Sequence, residues 1–163
     1  MAQIVQERAK AGALARFAAT GPEHINCAQA VVAFALDMMG EDPDLVATAG
    51  YFGGGIVGMG EACGAVTGAA LALGLRDYCR KGIAVDGPNP TPDLLKGLMR
   101  DFAGQFGSRR CGELTGHDLS TPEGRDLFMK SEIRDRCPLY VGWVCDRLAP
   151  LLVEQETPAP PSE

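Results

Sequence analysis

Aromatic side chains are scarce in this sequence, with one Trp, three Tyr and six Phe in 163 residues. A core with so few large rings must be filled by aliphatic and small side chains, which let backbones approach closely. Tightly packed helices are therefore expected. Positive charge is also short: 15 Lys and Arg stand against 21 Asp and Glu, a net charge of -6. Binding phosphates needs a surplus of Lys and Arg, and no basic stripe with interleaved aromatics occurs. A nucleic-acid partner is excluded on this ground, and the acidity reads as a contribution to solubility.

Other absences narrow the class further. The start, Met-Ala-Gln-Ile-Val-Gln-Glu-Arg, is charged and amphipathic, with no apolar run of the secretory kind. A cytoplasmic protein is the expectation. The most membrane-like stretch, Leu45 to Leu75, is interrupted by Glu61 and crowded with Gly. It leaves segments of about 15 residues, short of the roughly 20 that a spanning helix needs, so it reads as buried core. No GxSxG, HExxH or GxxxxGK(S/T) motif is present, and no hydrolase or phosphate-loop chemistry is assigned. Gly53-Gly54-Gly55, with Gly58 and Gly60, resembles a nucleotide loop only superficially, since no strand precedes it and no Lys follows.

Cysteine is plentiful by contrast, with six in the chain. In a reducing compartment such cysteines read as metal-binding, catalytic or redox-active rather than as disulfides. No CxxC occurs, so a thioredoxin motif and a zinc ribbon are both excluded, and any site must be assembled from distant segments.

Apolar periodicity is helical throughout, without a convincing alternating strand. Helices are expected over 4–18 and 25–39, the second closed by Gly40. Asp42-Pro43 pairs an N-cap with Pro at the first helical position and opens a helix to about Phe52. A long helix follows over 62–80. Gly82 to Pro90 reads as a surface loop. Thr91-Pro92-Asp93 opens a helix to Phe106, Thr121-Pro122-Glu123 one to about Lys130, and Pro138 the last, to about Val153. The expectation is an all-α bundle of about six or seven helices, one domain over 1–153, with a disordered tail over 154–163.

Cys27, Cys63 and Cys137 fall near helix N-termini on this map. Unpaired N–H groups and the helix dipole there favour an anion, lowering a thiol's pKa toward the thiolate, which is both nucleophile and metal ligand. Cys111 joins them through an internal echo: Cys63-Gly64-Ala65-Val66-Thr67-Gly68 is matched by Cys111-Gly112-Glu113-Leu114-Thr115-Gly116. Gly64 and Gly112 would let backbone pass close to a sulfur or cofactor, and Thr67 and Thr115 would offer hydroxyls to a thiolate. The alternative is two similar helix entries with Thr bonded to local backbone. Cys79 and Cys145 read as packing residues. His24 and His117 lie near Cys27 and Cys111, where a mixed Cys/His site would use them, although a His beside a turn is more often a surface residue. Glu61, beside Cys63, is a proton-donor candidate, with a solvated capping role as the alternative.

The four cysteines have three readings. They form a metal centre, either an iron–sulfur cluster or zinc, serving electron transfer or an oxidoreductase. They form a thiol–disulfide couple without metal. Or they are structural, in a binding module. A redox partner protein and self-association are compatible with all three.

At these residues the sequence resembles a family of redox-active proteins named for its pattern of one Cys, a Gly/Cys/Ala-x-x-Gly block and two further Cys. The matching segments are Asn26-Cys27-Ala28-Gln29-Ala30-Val31, Gly53-Gly54-Gly55, the two echoed blocks and Cys137, within roughly Ile25 to Leu152. The resemblance implies an all-helical fold with four cysteines acting together. It also brings an association with redox proteins, including a multihaem cytochrome type, and an iron–sulfur cluster as a family role. With no CxxCH, the chain attaches no c-type haem itself.

Overall fold

The computed structural model describes residues 1–82 and 88–153. The loop expected between Gly82 and Pro90 lies partly, and the tail expected from Glu154 wholly, outside the described residues.

Among the described residues, seven α-helices run in the order α1 (Ala2–Ala18), α2 (Cys27–Met39), α3 (Gly64–Lys81), α4 (Thr91–Phe106), α5 (Cys111–Thr115), α6 (Pro122–Lys130) and α7 (Cys137–Leu152), with short 3-10 turns between some of them. The all-α expectation holds, and the only pairing of β type among the described residues is an isolated bridge between Ala62 and Arg110. No helix among these residues is long and apolar enough to cross a membrane.

Helix α2 is central, packing on α1, α3 and α7. It begins with a capping box, in which Asn26 Oδ1 accepts from Gln29 N and Gln29 Oε1 accepts from Asn26 N. Such reciprocal bonds satisfy N–H groups that a helix start otherwise leaves unpaired. Gly40 closes the helix in the left-handed conformation at φ 69°. Ala28, Ala30, Ala35, Ala65, Ala69 and Ala72 are fully buried. A Cβ on Gly68 would lie 2.8 Å from Ala28 O and 2.9 Å from Val31 Cβ, so α3 rests directly on the backbone of α2. The few aromatics concentrate at one place: Phe102 and Phe106 of α4 pack edge-on against Tyr140 and Trp143 of α7, with ring centroids 4.8–5.8 Å apart.

Three local expectations change. The segment after Asp42 is a 3-10 turn over Pro43–Ala49, not an α-helix to Phe52. Asp42 caps it through Asp44 N, but Gly50 and the glycines that follow end it early. The helix expected from Ala62 starts at Gly64 because Ala62 is held in the bridge to Arg110. Thr91 is the first helical residue rather than a cap. Its hydroxyl lies 2.6 Å from Arg76 Nη2, and this buried arginine also donates to Leu151 O. Arg76 thereby ties α3 to α4 and to the otherwise unpaired carbonyls ending α7.

Candidate functional site

Each of the four pattern cysteines begins a helix. Cys27, Cys111 and Cys137 are the first residues of α2, α5 and α7, and Cys63 is the N-cap of α3. Four separate segments thus turn into helices at one place. Cys27, Cys63, Cys111 and Cys137 line a single small cavity of about 20 Å³, completed by Ala65, Leu114, Thr115 and Tyr140. All are free thiols.

A loop from Gly53 to Gly60 packs against Cys111 and the start of α5. Residues Gly54, Gly55, Ile56, Val57 and Gly58 all have positive φ, between 47° and 77°, forming a left-handed turn. For the β-branched Ile56 and Val57 this conformation costs on the order of 1–3 kcal/mol each. Surrounding bonds hold it: Gly60 N and Glu61 N donate to Gly54 O and Gly55 O, while Gly112 N and Cys111 N donate to Gly60 O and Glu61 O. Gly55 admits no side chain, since a Cβ there would lie 2.7 Å from Cys111 Cβ. Asn26 fastens the other end, donating from Nδ2 to Ala49 O and Gly50 O.

The electrostatics correct one expectation. Helix starts are expected to lower the thiol pKa values of Cys27, Cys63 and Cys137, but all four cavity thiols are raised, because burial, which penalises the thiolate, is the largest effect on each. Burial pushes Cys111 up to about 12 and Cys137 up to about 11. Cys27 and Cys63 are raised too, by burial first. At Cys27 the backbone N–H groups of Gly54, Ala28, Gly64 and its own residue oppose the rise. Mutual repulsion adds to it: charge on Cys27 acts on the other three, and Cys63 feels Cys27, Cys111 and Cys137 together. The four sulfurs therefore behave as one electrostatic cluster. Among the described residues, no group of three or more His, Cys, Asp or Glu is arranged to hold a metal ion as it stands.

The companions of the cysteines divide. Gly64 touches Cys27 Sγ where a Cβ would stand, and Gly112 packs on Gly60. The Thr67 and Thr115 hydroxyls donate to local carbonyls, Thr115 to Cys111 O at 2.8 Å and Thr67 to Gly64 O at 3.3 Å. Thr115 also borders the cavity. Glu61 is exposed and paired with Arg110 at 3.4 Å. The His117 ring lies 6.2 Å from that of Phe128. Cys145 is fully buried in the core as expected, whereas Cys79 is exposed at the end of α3, its thiol pKa raised by burial and by a hydrogen bond to Glu41. Sequence reasoning missed Tyr140, Leu114 and the roles of Asn26 and Ile56. Tyr140 had a usable signal, since it follows Cys137 by three residues in a helix and so shares its face.

Outside the four-sulfur cavity lies a wider cleft of about 450 Å³. Cys27, Cys111 and Cys137 border both spaces, and Cys63 borders only the inner one.

A family model described as "Putative redox-active protein (C_GCAxxG_C_C)" matches residues 25–151. That span contains all four cavity cysteines. No curated protein and no solved structure matches the chain.

Proposed function

Because the chain belongs to the C_GCAxxG_C_C family of redox-active proteins, we propose that Cys27, Cys63, Cys111 and Cys137 hold an iron–sulfur cluster used for electron transfer. The observation that carries this reading is the convergence of four helix-starting cysteines, from four separate segments, on one small cavity, which has room for about one water and would have to widen around a cluster. The inner cavity is lined by four sulfurs and by no carboxylate or imidazole, a donor set that suits a soft, thiolate-ligated centre. The cluster would supply reversible one-electron chemistry. The chain's own groups would do the rest: the N–H groups of Gly54 and Gly64 would neutralise charge on the Cys27 sulfur, and Leu114, Ala65 and Tyr140 would keep water out. The raised pKa values fit such a role, because thiols that stay protonated alone are deprotonated outright by a bound metal.

One observation favours a second reading. No closed ligand set exists among the described residues, and a metal-free dithiol–disulfide couple between neighbouring cysteines would need none. The two readings part on one preparation. Protein isolated anaerobically is expected to carry iron and acid-labile sulfide in matching amounts, with a visible absorption that bleaches reversibly on reduction. Cys→Ser at any of the four positions should remove it, and C79S should not. Zinc in place of iron would assign a structural centre. Folded protein that takes up no metal but loses two thiols reversibly on oxidation would establish the dithiol couple instead.

A further inference from the structure

The outer cleft is not needed to hold four sulfurs, yet it is built against them. Its volume of about 450 Å³ falls within the range of small-molecule sites. Its walls are apolar: Phe17 comes from α1, Phe128 and Met129 from α6, and Leu119 from the segment between α5 and α6. Three cysteines form the boundary with the inner cavity. The polar lining residues are few and differ in availability. The Asn26 amide is fully used, with its nitrogen on Ala49 O and Gly50 O and its oxygen on Gln29 N. His24 has Nδ1 3.1 Å from Ala19 O, which leaves Nε2 as the other ring nitrogen. Arg134 makes no ion pair within 4 Å among the described residues. Asp135 shares the lining and likewise makes no ion pair within 4 Å among the described residues, while the Arg134 charge lowers the Cys137 pKa against the larger effects of burial and Cys27.

We infer that this cleft is a binding site for a small planar organic molecule with an anionic head. Its ring would lie between Phe17, Leu119, Phe128 and Met129, and its head on Arg134. Aromatic walls favour a flat π-system, and an unpaired guanidinium favours an oxyanion through charge-assisted hydrogen bonds. A ligand so placed lies against three of the four sulfurs and screens them from solvent. The inference goes beyond the cluster proposal and does not depend on it, since walls and cation are present whatever the sulfurs hold.

The probe is 2-naphthoate, titrated calorimetrically into the full chain under anaerobic conditions, with iron content measured on the same samples. Saturable one-to-one binding is expected. R134Q should weaken it about tenfold, the scale of one charge-assisted contact. M129W, which fills the cleft from an exposed position, should abolish it. Neutral 2-naphthamide should bind more weakly than naphthoate and be indifferent to R134Q. Absence of saturable binding to folded wild-type protein would overturn the inference, as would equal affinity in wild type, R134Q and M129W. Equal binding of naphthoate and naphthamide would overturn the anionic head. None of these outcomes depends on the iron content.

Discussion

The segments beginning at Cys63 and Cys111 share the pattern C-G-x-(V/L)-T-G, yet the fold uses them differently. Cys63 caps an 18-residue helix and borders only the inner cavity. Cys111 opens a helix of five residues and borders both cavity and cleft. Gly64 is pressed against the Cys27 sulfur, while the nearest neighbour of Gly112 is the Gly60 backbone, at 3.3 Å or more from where a Cβ would lie. The same six-residue pattern thus serves once as an interior wall that positions a second sulfur, and once as a shallow lip. What a motif does is set by what the fold brings opposite it.

The sharpest way to break this contrast is to add one methyl group to each segment. G64A must displace Cys27 Sγ or separate α2 from α3, so a loss of about 2–3 kcal/mol is expected, in the range of overpacked cores. G112A needs only a small shift of Gly60 and should cost less than about 1 kcal/mol. Urea unfolding of both variants in the reduced, metal-free state measures this. Equal costs would mean that the approach of Gly64 to Cys27 is not what distinguishes the two segments.

Much of this was legible in the chain. Cap-then-Pro signals placed the starts of α6 and α7 to within a residue, and Gly40 marked the end of α2. The echo and family pattern singled out four cysteines, and all four line one cavity. The rest was not legible, for physical reasons. The left-handed turn at Gly54–Gly58 includes Ile56 and Val57, whose local preferences oppose it, so it depends on bonds across the loop, such as Val57 N to Tyr51 O and Gly58 N to Gly53 O, and on the bonds of Gly60 and Glu61 to α5. Thr91 carries a capping signature, but a buried arginine 15 residues away claims its hydroxyl. Helix-start placement suggested low thiol pKa values, while the opposing effect, burial among like groups, depends on distances that no local pattern encodes.

Alkaline pH tests whether both segments belong to one buried cluster. Cys111 is raised to about 12 by burial and by its neighbours, against about 8.5 in an unfolded chain. Above the unfolded value the unfolded chain releases a proton that the folded one retains, so stability falls as pH rises. The contribution is fully present below about pH 8 and is lost between roughly 9 and 12. Cys63 shifts in the same direction. Cys145, raised to about 12 by burial and by Asp146 beside it, is a control remote from the site. In reduced, metal-free protein, C145A should lower the alkaline slope by about one proton. C111A should lower it by as much and also ease the titration of Cys63, because one repelling charge is gone. If C111A leaves Cys63 unchanged, the two segments do not share one electrostatic site.

The smallest effect concerns the threonines that end the two patterns. Thr115 is buried and donates to Cys111 O at 2.8 Å, closing a helix too short to hold itself. Thr67 is only half-buried, and its contacts to Cys63 O and Gly64 O are longer, at 3.5 and 3.3 Å. It lies in a helix already secured by its packing on α2. Valine keeps the shape and removes the donor, so the hydroxyl is what each variant tests. T115V should cost about 1 kcal/mol, the net worth of one hydrogen bond, and T67V less than about 0.5 kcal/mol. T115V should also loosen Cys111 where it faces the cleft, speeding its alkylation by iodoacetamide while leaving Cys63 unchanged. If both thiols speed up together, the two helix starts open as one unit. The division of labour between an interior wall and a lip would then hold for packing but not for motion.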